Sequence, residues 1–231
     1  MQINYHLVAG PAVEPVTLAL AKAQLNVEAA FTDDDALIGG LITAARQLCE
    51  QAMCRAIFNQ SWLLTLDHFP WVSFNNGTVR QTNRSDWPFL SDFWQGMTIN
   101  LPMPRLVSVT SITYVDLTGA TQTLDPGSYY ADVNSEPARI VPKPGAYWPY
   151  TQQYVPGSVQ VTFVAGTYGD GVEVNTCPQT IALAIMQMVA DWYANRENSV
   201  VSSGIGVAEL PYGVRRLLES EKFYCFTLEN N

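Results

Sequence analysis

Few residues in this chain have types and spacings that could do chemistry. Asp33, Asp34 and Asp35 put three carboxylates in a row, a group that could in principle ligate Mg²⁺ or Ca²⁺. No EF-hand spacing follows and no phosphate-binding loop is present, so the stronger reading is negative charge at the positive end of a helix. The two histidines, His6 and His68, and the four cysteines, Cys49, Cys54, Cys177 and Cys225, form no CxxC pair or other ligand spacing, and the thiols read as buried or idle. The stretch "VSSGIG" is not the GxSxG of a serine nucleophile, and "GIGVAEL" lacks the third glycine and the preceding strand of a dinucleotide fingerprint. The sequence therefore offers no catalytic residue, no metal site and no cofactor site, and the expectation is a protein that is not an enzyme. What remains is aromatic: Trp71, Phe74, Trp87, Phe89, Phe93 and Trp94 crowd the aperiodic stretch 70–96, a candidate loop for a partner protein, a sugar ring or a base.

The elements that would position these residues follow from periodicity. "PVTLALAKAQLNV" reads as a short helix capped by Thr17 with its body at 19–25. A second helix starts at Thr32 or Asp33; Leu37, Leu41, Ala44, Leu48 and Ala52 form one apolar row, which Ile38, Ile42, Ala45, Cys49 and Met53 widen. Gly39, Thr43, Arg46, Gln47, Glu50 and Gln51 take the wet half. From Ser61 the period changes to two. "SWLLTLDHF", "MTINLP", "VSVTSITYVD", "TQTL", "YYADV", "ARIVP" and "VQVTFVAG" read as strands, with a hairpin turn near Thr118-Gly119. A third long helix runs from 178 to about 196, apolar around more than half its circumference, with a narrow polar seam of Thr180, Gln187, Asp191 and Asn195 that also holds Ala184. So apolar a helix is a packing hub, and Trp192, Tyr193 and Arg196 at its end are candidates for a seam between subunits. A last short helix follows Pro211 with Val214, Leu217 and Leu218 on its apolar side. Beyond it Tyr224, Phe226 and Leu228 alternate, as in an extended segment that adds to a groove or folds back on its own bundle.

The formal charge of −9 argues against a protein that grips nucleic acid through its phosphates, though not against one that DNA passes. The first residues lack a basic region and are interrupted by Pro11 and Pro15, and "IALAIMQMVADWYA" is too short to span a bilayer, so the expectation is a soluble chain made in a reducing cytoplasm.

In order along the chain, "PVTLALAKAQLNV", "DDDALIGGLITAARQLCEQAMCRAIFNQSWLLTLDHFP", "VSVTSITYVDLTGATQTLDPGSYY", "ARIVP", "VQVTFVAG", "IALAIMQMVADWYANRE" and "ELPYGVRRLL" resemble the head–tail connector (adaptor, or head-completion) family of tailed double-stranded-DNA bacteriophages. The resemblance implies an α+β fold, a bundle of about four helices with a β-rich insertion between the second and third. Its parts would be helices in 1–59, the insertion in 60–170 carrying the aromatic loop 70–96, helices in 171–222 and a tail at 223–231. It further implies a non-enzymatic ring, commonly twelvefold, in the neck of the virion. Its partners would be the portal protein and a tail-side protein (stopper, tail terminator or tail hub). Genomic DNA would pass through without sequence-specific binding, and neither cofactor nor membrane is involved. Adaptor tails of this kind dock on the portal, which makes Phe223, Tyr224, Phe226 and Leu228 the candidate portal contacts. The competing readings are a carbohydrate- or host-surface-binding module built on the aromatic loop, and a hydrolase in an unfamiliar fold.

Overall fold

The computed structural model describes residues 3–70, 73–75, 78–80, 97–152, 155–195 and 212–223. The fold is α+β, and the chain divides into two compact units, one β-rich, drawn from 1–10 and 60–166, and one helical, drawn from 11–59 and 167–225.

The helical unit holds α1 (Leu18–Gln24), α2 (Asp35–Met53), α3 (Gln179–Ala194) and α4 (Tyr212–Glu219). Thr17 caps α1 as its residue type requires, its hydroxyl accepting from the Leu20 N–H at 3.3 Å. The start of α2 differs from the sequence reading. Its N-cap is Asp34, whose side chain makes no cap bond. The acidic row is divided among partners instead: Asp35 pairs with the buried Lys22 ammonium, and Asp34 accepts from the Tyr193 hydroxyl at 2.5 Å. Lys22 also donates to the Phe31 carbonyl at 2.7 Å, so the 26–34 connection is tied to α1 through one cation. At the other end Cys54 takes the left-handed conformation (φ 54°), and the Arg55 N–H closes on the Glu50 carbonyl.

The core of this unit is built from Ile38, Ile42, Ala45, Cys49 and Met53 of α2, Ile181, Ala184, Ile185, Met188 and Val189 of α3, and Val214 and Leu218 of α4. Three sequence expectations are corrected here. Ala184, assigned to the polar seam of α3, is fully buried. On α2 the inward stripe is the Ile38–Met53 row, whereas Leu37 is 41% exposed and Ala44 is exposed. Arg46 and Glu50, assigned to the wet half, are only 2% and 4% exposed. Arg46 Nη1 donates to Glu50 Oε2 at 2.6 Å and its Nε to Glu14 Oε2 at 2.8 Å. Glu14 also accepts from Thr43, and Glu50 Oε1 accepts from the Ile57 N–H at 3.0 Å. Buried charges survive only when paired in this way.

The β-rich unit contains a five-stranded antiparallel sheet in the order β1 (Ile3–Ala9), β2 (Gln60–Leu66), β10 (Val159–Ala165), β6 (Leu106–Val115), β7 (Thr121–Thr123). A three-stranded antiparallel sheet has the order β5 (Ile99–Asn100), β9 (Arg139–Pro142), β8 (Tyr129–Asp132). The central strand β10 buries Val159, Val161 and Phe163 completely, and β2 beside it buries Gln60, Trp62, Leu64 and Leu66, the alternation a half-buried strand demands. The β6–β7 hairpin turns where its sequence indicates. Gly119 takes φ 85°, and the Asp116 carboxylate accepts from the Thr118 and Ala120 N–H groups, the Thr118 hydroxyl and the Gln122 amide. These bonds, led by that from Thr118, lower the Asp116 pKa to about 2.

Two features of this unit were not legible beforehand. Residues 3–9, grouped with the N-terminal helices on sequence, form the edge strand β1, paired to β2 with Tyr5 opposite Leu64. Leu7 is its one half-buried residue among 4–9, so there is no alternation to read. Inside the stretch taken as aperiodic, β3 (Ser73–Asn75) pairs with β4 (Thr78–Arg80), Asn75 opposite Thr78. The intervening sequence is Asn76-Gly77, the dipeptide favoured in two-residue hairpin connections.

Candidate interaction surfaces

At the end of α3, Trp192 and Tyr193 are half-buried and pack against the core of their own helical unit, and the Tyr193 hydroxyl reaches Asp34. Their apolar area is thus partly used within the subunit. Arg196, the third residue of that candidate seam, lies outside the described residues. At the root of the tail the Phe223 N–H donates to the Met53 carbonyl at 2.9 Å, and the Arg55 guanidinium lies over the Phe223 ring, 5.9 Å from its centroid. Phe223 therefore docks on the C-terminal end of α2. Tyr224, Phe226 and Leu228 lie outside the described residues, as do Trp71, Trp87, Phe89, Phe93 and Trp94, while Phe74 falls in β3.

Charged loops in the β-rich unit are locally satisfied. Arg105 Nε donates to Glu136 at 2.7 Å, Arg139 Nε donates to Asp132 at 2.9 Å, Asp125 caps the 3-10 turn at Pro126–Ser128, and Lys143 sits over the Tyr130 ring. The Arg139 bond is the leading cause that holds the Asp132 carboxyl below the usual carboxylate range. Tyr147 and Tyr150 of the same unit are 70% and 69% exposed.

Among the described residues no group of three His, Cys, Asp or Glu side chains could hold a metal ion, and no helix is long and apolar enough to cross a membrane. The reading of four idle thiols is corrected in one respect. Cys54 is disulfide-bonded, while Cys49 and Cys177 are free and Cys225 lies outside the described residues. Burial pushes the Cys49 thiol up to about 12 and the Cys177 thiol up to about 11, from an ordinary 9.0. Thiolate is the reactive species, so at pH 8 a two-unit rise removes about 99% of it. Iodoacetamide at pH 8 is expected to label both cysteines at least ~100-fold more slowly in the folded protein than in the urea-unfolded chain, read by peptide mass spectrometry. Comparable rates in the two states would refute their burial.

One face of the helical unit was missed on sequence. Leu37, Leu41, Ala44 and Leu48 lie along α2 beside the core stripe, Leu37 and Ala44 exposed and Leu41 and Leu48 half-buried. The signal was available as an absence, since no charged residue occurs among the helix positions that the structure leaves exposed.

No protein-family model matches the sequence, and no curated protein matches it. Solved structures do match. A chain from the neck of an empty gene transfer agent (GTA) particle, computed with C6 symmetry, aligns with a TM-score of 0.63 at 19% identity, covering 97% of this chain and 96% of that one. A chain from the virion of the native GTA particle gives 0.62 at 20% identity with the same coverage. A chain from the neck of the native particle, computed with C12 symmetry, gives 0.56 at 20% identity, again over 97% and 96%. At these identities the likeness is one of fold, and it runs nearly end to end: this chain has the two-part α+β fold of chains found in the neck of a gene transfer agent particle.

Proposed function

We propose that the chain is a structural virion protein, a head–tail adaptor. Copies of it form a ring, twelvefold, between the portal protein and a tail-side protein (stopper, tail terminator or tail hub). The ring extends the DNA channel and completes the head. The observation that carries this reading is the fold likeness over 97% of the chain to chains from neck assemblies of sixfold and twelvefold symmetry. The charge of −9 supports it, because a ring that DNA slides through must not bind phosphates.

In this reading the tail is the portal anchor. Phe223 fixes the root against the end of α2, and Tyr224, Phe226 and Leu228 continue from it to the portal. Each of those three side chains contributes roughly 1.5–3 kcal/mol when buried, before ordering costs, and the contribution repeats around the ring. Replacing Tyr224, Phe226 and Leu228 together by serine keeps the root and every cysteine and removes the apolar side chains of the anchor. This triple variant is expected to melt like the full chain and to lose portal binding in co-sedimentation. Normal melting with full occupancy on portals would place the anchor elsewhere, and one copy per particle in cryo-EM of the neck would overturn the ring.

A further inference from the structure

Cys54 is disulfide-bonded, and its partner follows from which thiols are left. The chain has four cysteines, and Cys49 and Cys177 are free, so within one chain only Cys225 remains. Distance along the chain agrees. Cys54 leaves α2 in the left-handed conformation, next to Met53, whose carbonyl accepts from the Phe223 N–H at 2.9 Å. The Arg55 guanidinium lies over the Phe223 ring, and the Tyr168 hydroxyl donates to Glu221 at 2.5 Å, so the chain at 221–223 is held against the helical unit, with Phe223 at the end of α2. Cys225 comes two residues later. Two residues span at most about 7 Å, and a disulfide joins Cα atoms roughly 4.4–6.8 Å apart, so Cys225 is within reach of Cys54. Neither free thiol competes. Cys49 lies in the buried stripe of α2 and Cys177 packs against the same core, and burial withholds the thiolate that disulfide exchange needs.

We infer that a Cys54–Cys225 disulfide clamps the root of the tail to the C-terminal end of α2, and that the clamp opens and closes with the redox surroundings. Closing it takes an oxidant, and a small-molecule disulfide, oxidised glutathione, supplies the chemistry. The thiolate of one cysteine attacks it, forming a mixed disulfide and releasing one glutathione, and the thiolate of the other cysteine displaces the second. Two cysteine thiols are thereby oxidised to one disulfide, oxidised glutathione is reduced to two thiols, and the two cysteine protons end on those thiols. Reduced glutathione in excess reverses both steps. With the clamp open, the described contacts of the root are the Phe223 and Glu221 hydrogen bonds and the Arg55 contact. Closed, it leaves six residues, 226–231, beyond a covalent fixed point, and these reach at most about 22 Å from it. On the anchor reading above, on which this step alone rests, the clamp sets where Tyr224 and Phe226, on either side of Cys225, are presented to the portal.

The test incubates the full-length protein with oxidised or with reduced glutathione, blocks free thiols with iodoacetamide in denaturant, and digests with trypsin without reduction. After oxidation, peptide 47–55, which carries Cys49 and Cys54, is expected to be joined to 223–231, with Cys49 and Cys177 alkylated; after reduction all four cysteines are expected to be alkylated. A link from Cys54 to Cys49 or Cys177, a covalent pair of chains on a non-reducing gel, or an alkylated Cys54 after oxidation overturns the clamp. A link that survives reduced glutathione overturns the switch. Melting separates a clamp from an idle bond. The oxidised protein is expected to melt roughly 5–15 °C above the reduced one, and Cys54→Ser, Cys225→Ser and the double variant are expected to abolish that difference to the same extent. Equal melting of the oxidised and reduced wild type overturns the hold on the root. None of these outcomes bears on portal binding, which the serine variant of Tyr224, Phe226 and Leu228 tests separately.

Discussion

Replacing Arg46 by alanine is expected to destabilise the helical unit by about 3–5 kcal/mol, measured by urea unfolding followed by circular dichroism. The guanidinium is 2% exposed and holds two carboxylates, Glu50 at 2.6 Å and Glu14 at 2.8 Å. Its removal takes the buried guanidinium away from Glu50, itself 4% exposed, whose Oε1 still accepts from the Ile57 N–H. The cost is mostly that lost charge pairing in the interior, and the double variant Arg46→Met/Glu50→Leu separates it from the lost packing. An apolar pair of similar volume recovers most of the loss, short of the roughly 1–3 kcal/mol for an Ile57 N–H left without an acceptor. The exposed pairs Arg105–Glu136 and Arg139–Asp132, whose arginine side chains are 63% and 55% exposed, are the internal control. The same chemistry in water is worth about 0–1 kcal/mol, so Arg105→Ala changes stability little. A loss under about 1 kcal/mol for Arg46→Ala would show that water reaches the carboxylates and that the cluster is not closed.

In the β-rich unit the largest effect is expected at Trp148, where substitution by alanine lowers stability by about 3–5 kcal/mol. The indole is 3% exposed and stacks on Phe69, with centroids 5.0 Å apart and rings 5° from parallel; Phe69 in turn meets the edge of Tyr114 at 5.7 Å. Its Nε1 donates to the Met97 carbonyl at 2.7 Å, joining positions 51 residues apart. Trp148 thus ties the coil after β9 to the strand end after β2 and to the segment leading into β5. Trp148→Phe keeps the stack and drops the bond, and is expected to cost about 1–3 kcal/mol, the price of an unpaired buried carbonyl. Urea unfolding of the two variants checks the order. Equal losses would show that the hydrogen bond carries the whole effect and the stacking area none.

Much of this fold was legible because burial in regular elements leaves a local trace. Val159, Val161 and Phe163 alternate with Gln160 and Thr162, and that alone identified a half-buried strand; Thr17 ahead of "LALAKAQ" identified a helix start, and Thr118-Gly119 a hairpin turn. The resemblance to head–tail connectors and the fold likeness to neck chains agree on the α+β architecture because that order of local signals spans nearly the whole chain. What periodicity could not decide is direction. On α2 the apolar positions cover a sector wider than one neighbour, so either the Leu37 row or the Ile38 row could face the core. The choice fell to the packing of α3, and with it Arg46 and Glu50 turned inward and an uncharged face turned outward. Edge strand β1 is set by its pairing with β2, not by a pattern of its own. The acidic row at 33–35 found its partners, Lys22 and Tyr193, across 13 and 159 positions of chain (35 − 22 and 193 − 34), distances at which sequence carries no signal. The sequence by itself determined which segments are helix or strand, because hydrogen bonding and alternation act between near neighbours. Only the tertiary structure decided which side of each segment is inside, because that depends on the shape and charge of elements far away in the chain.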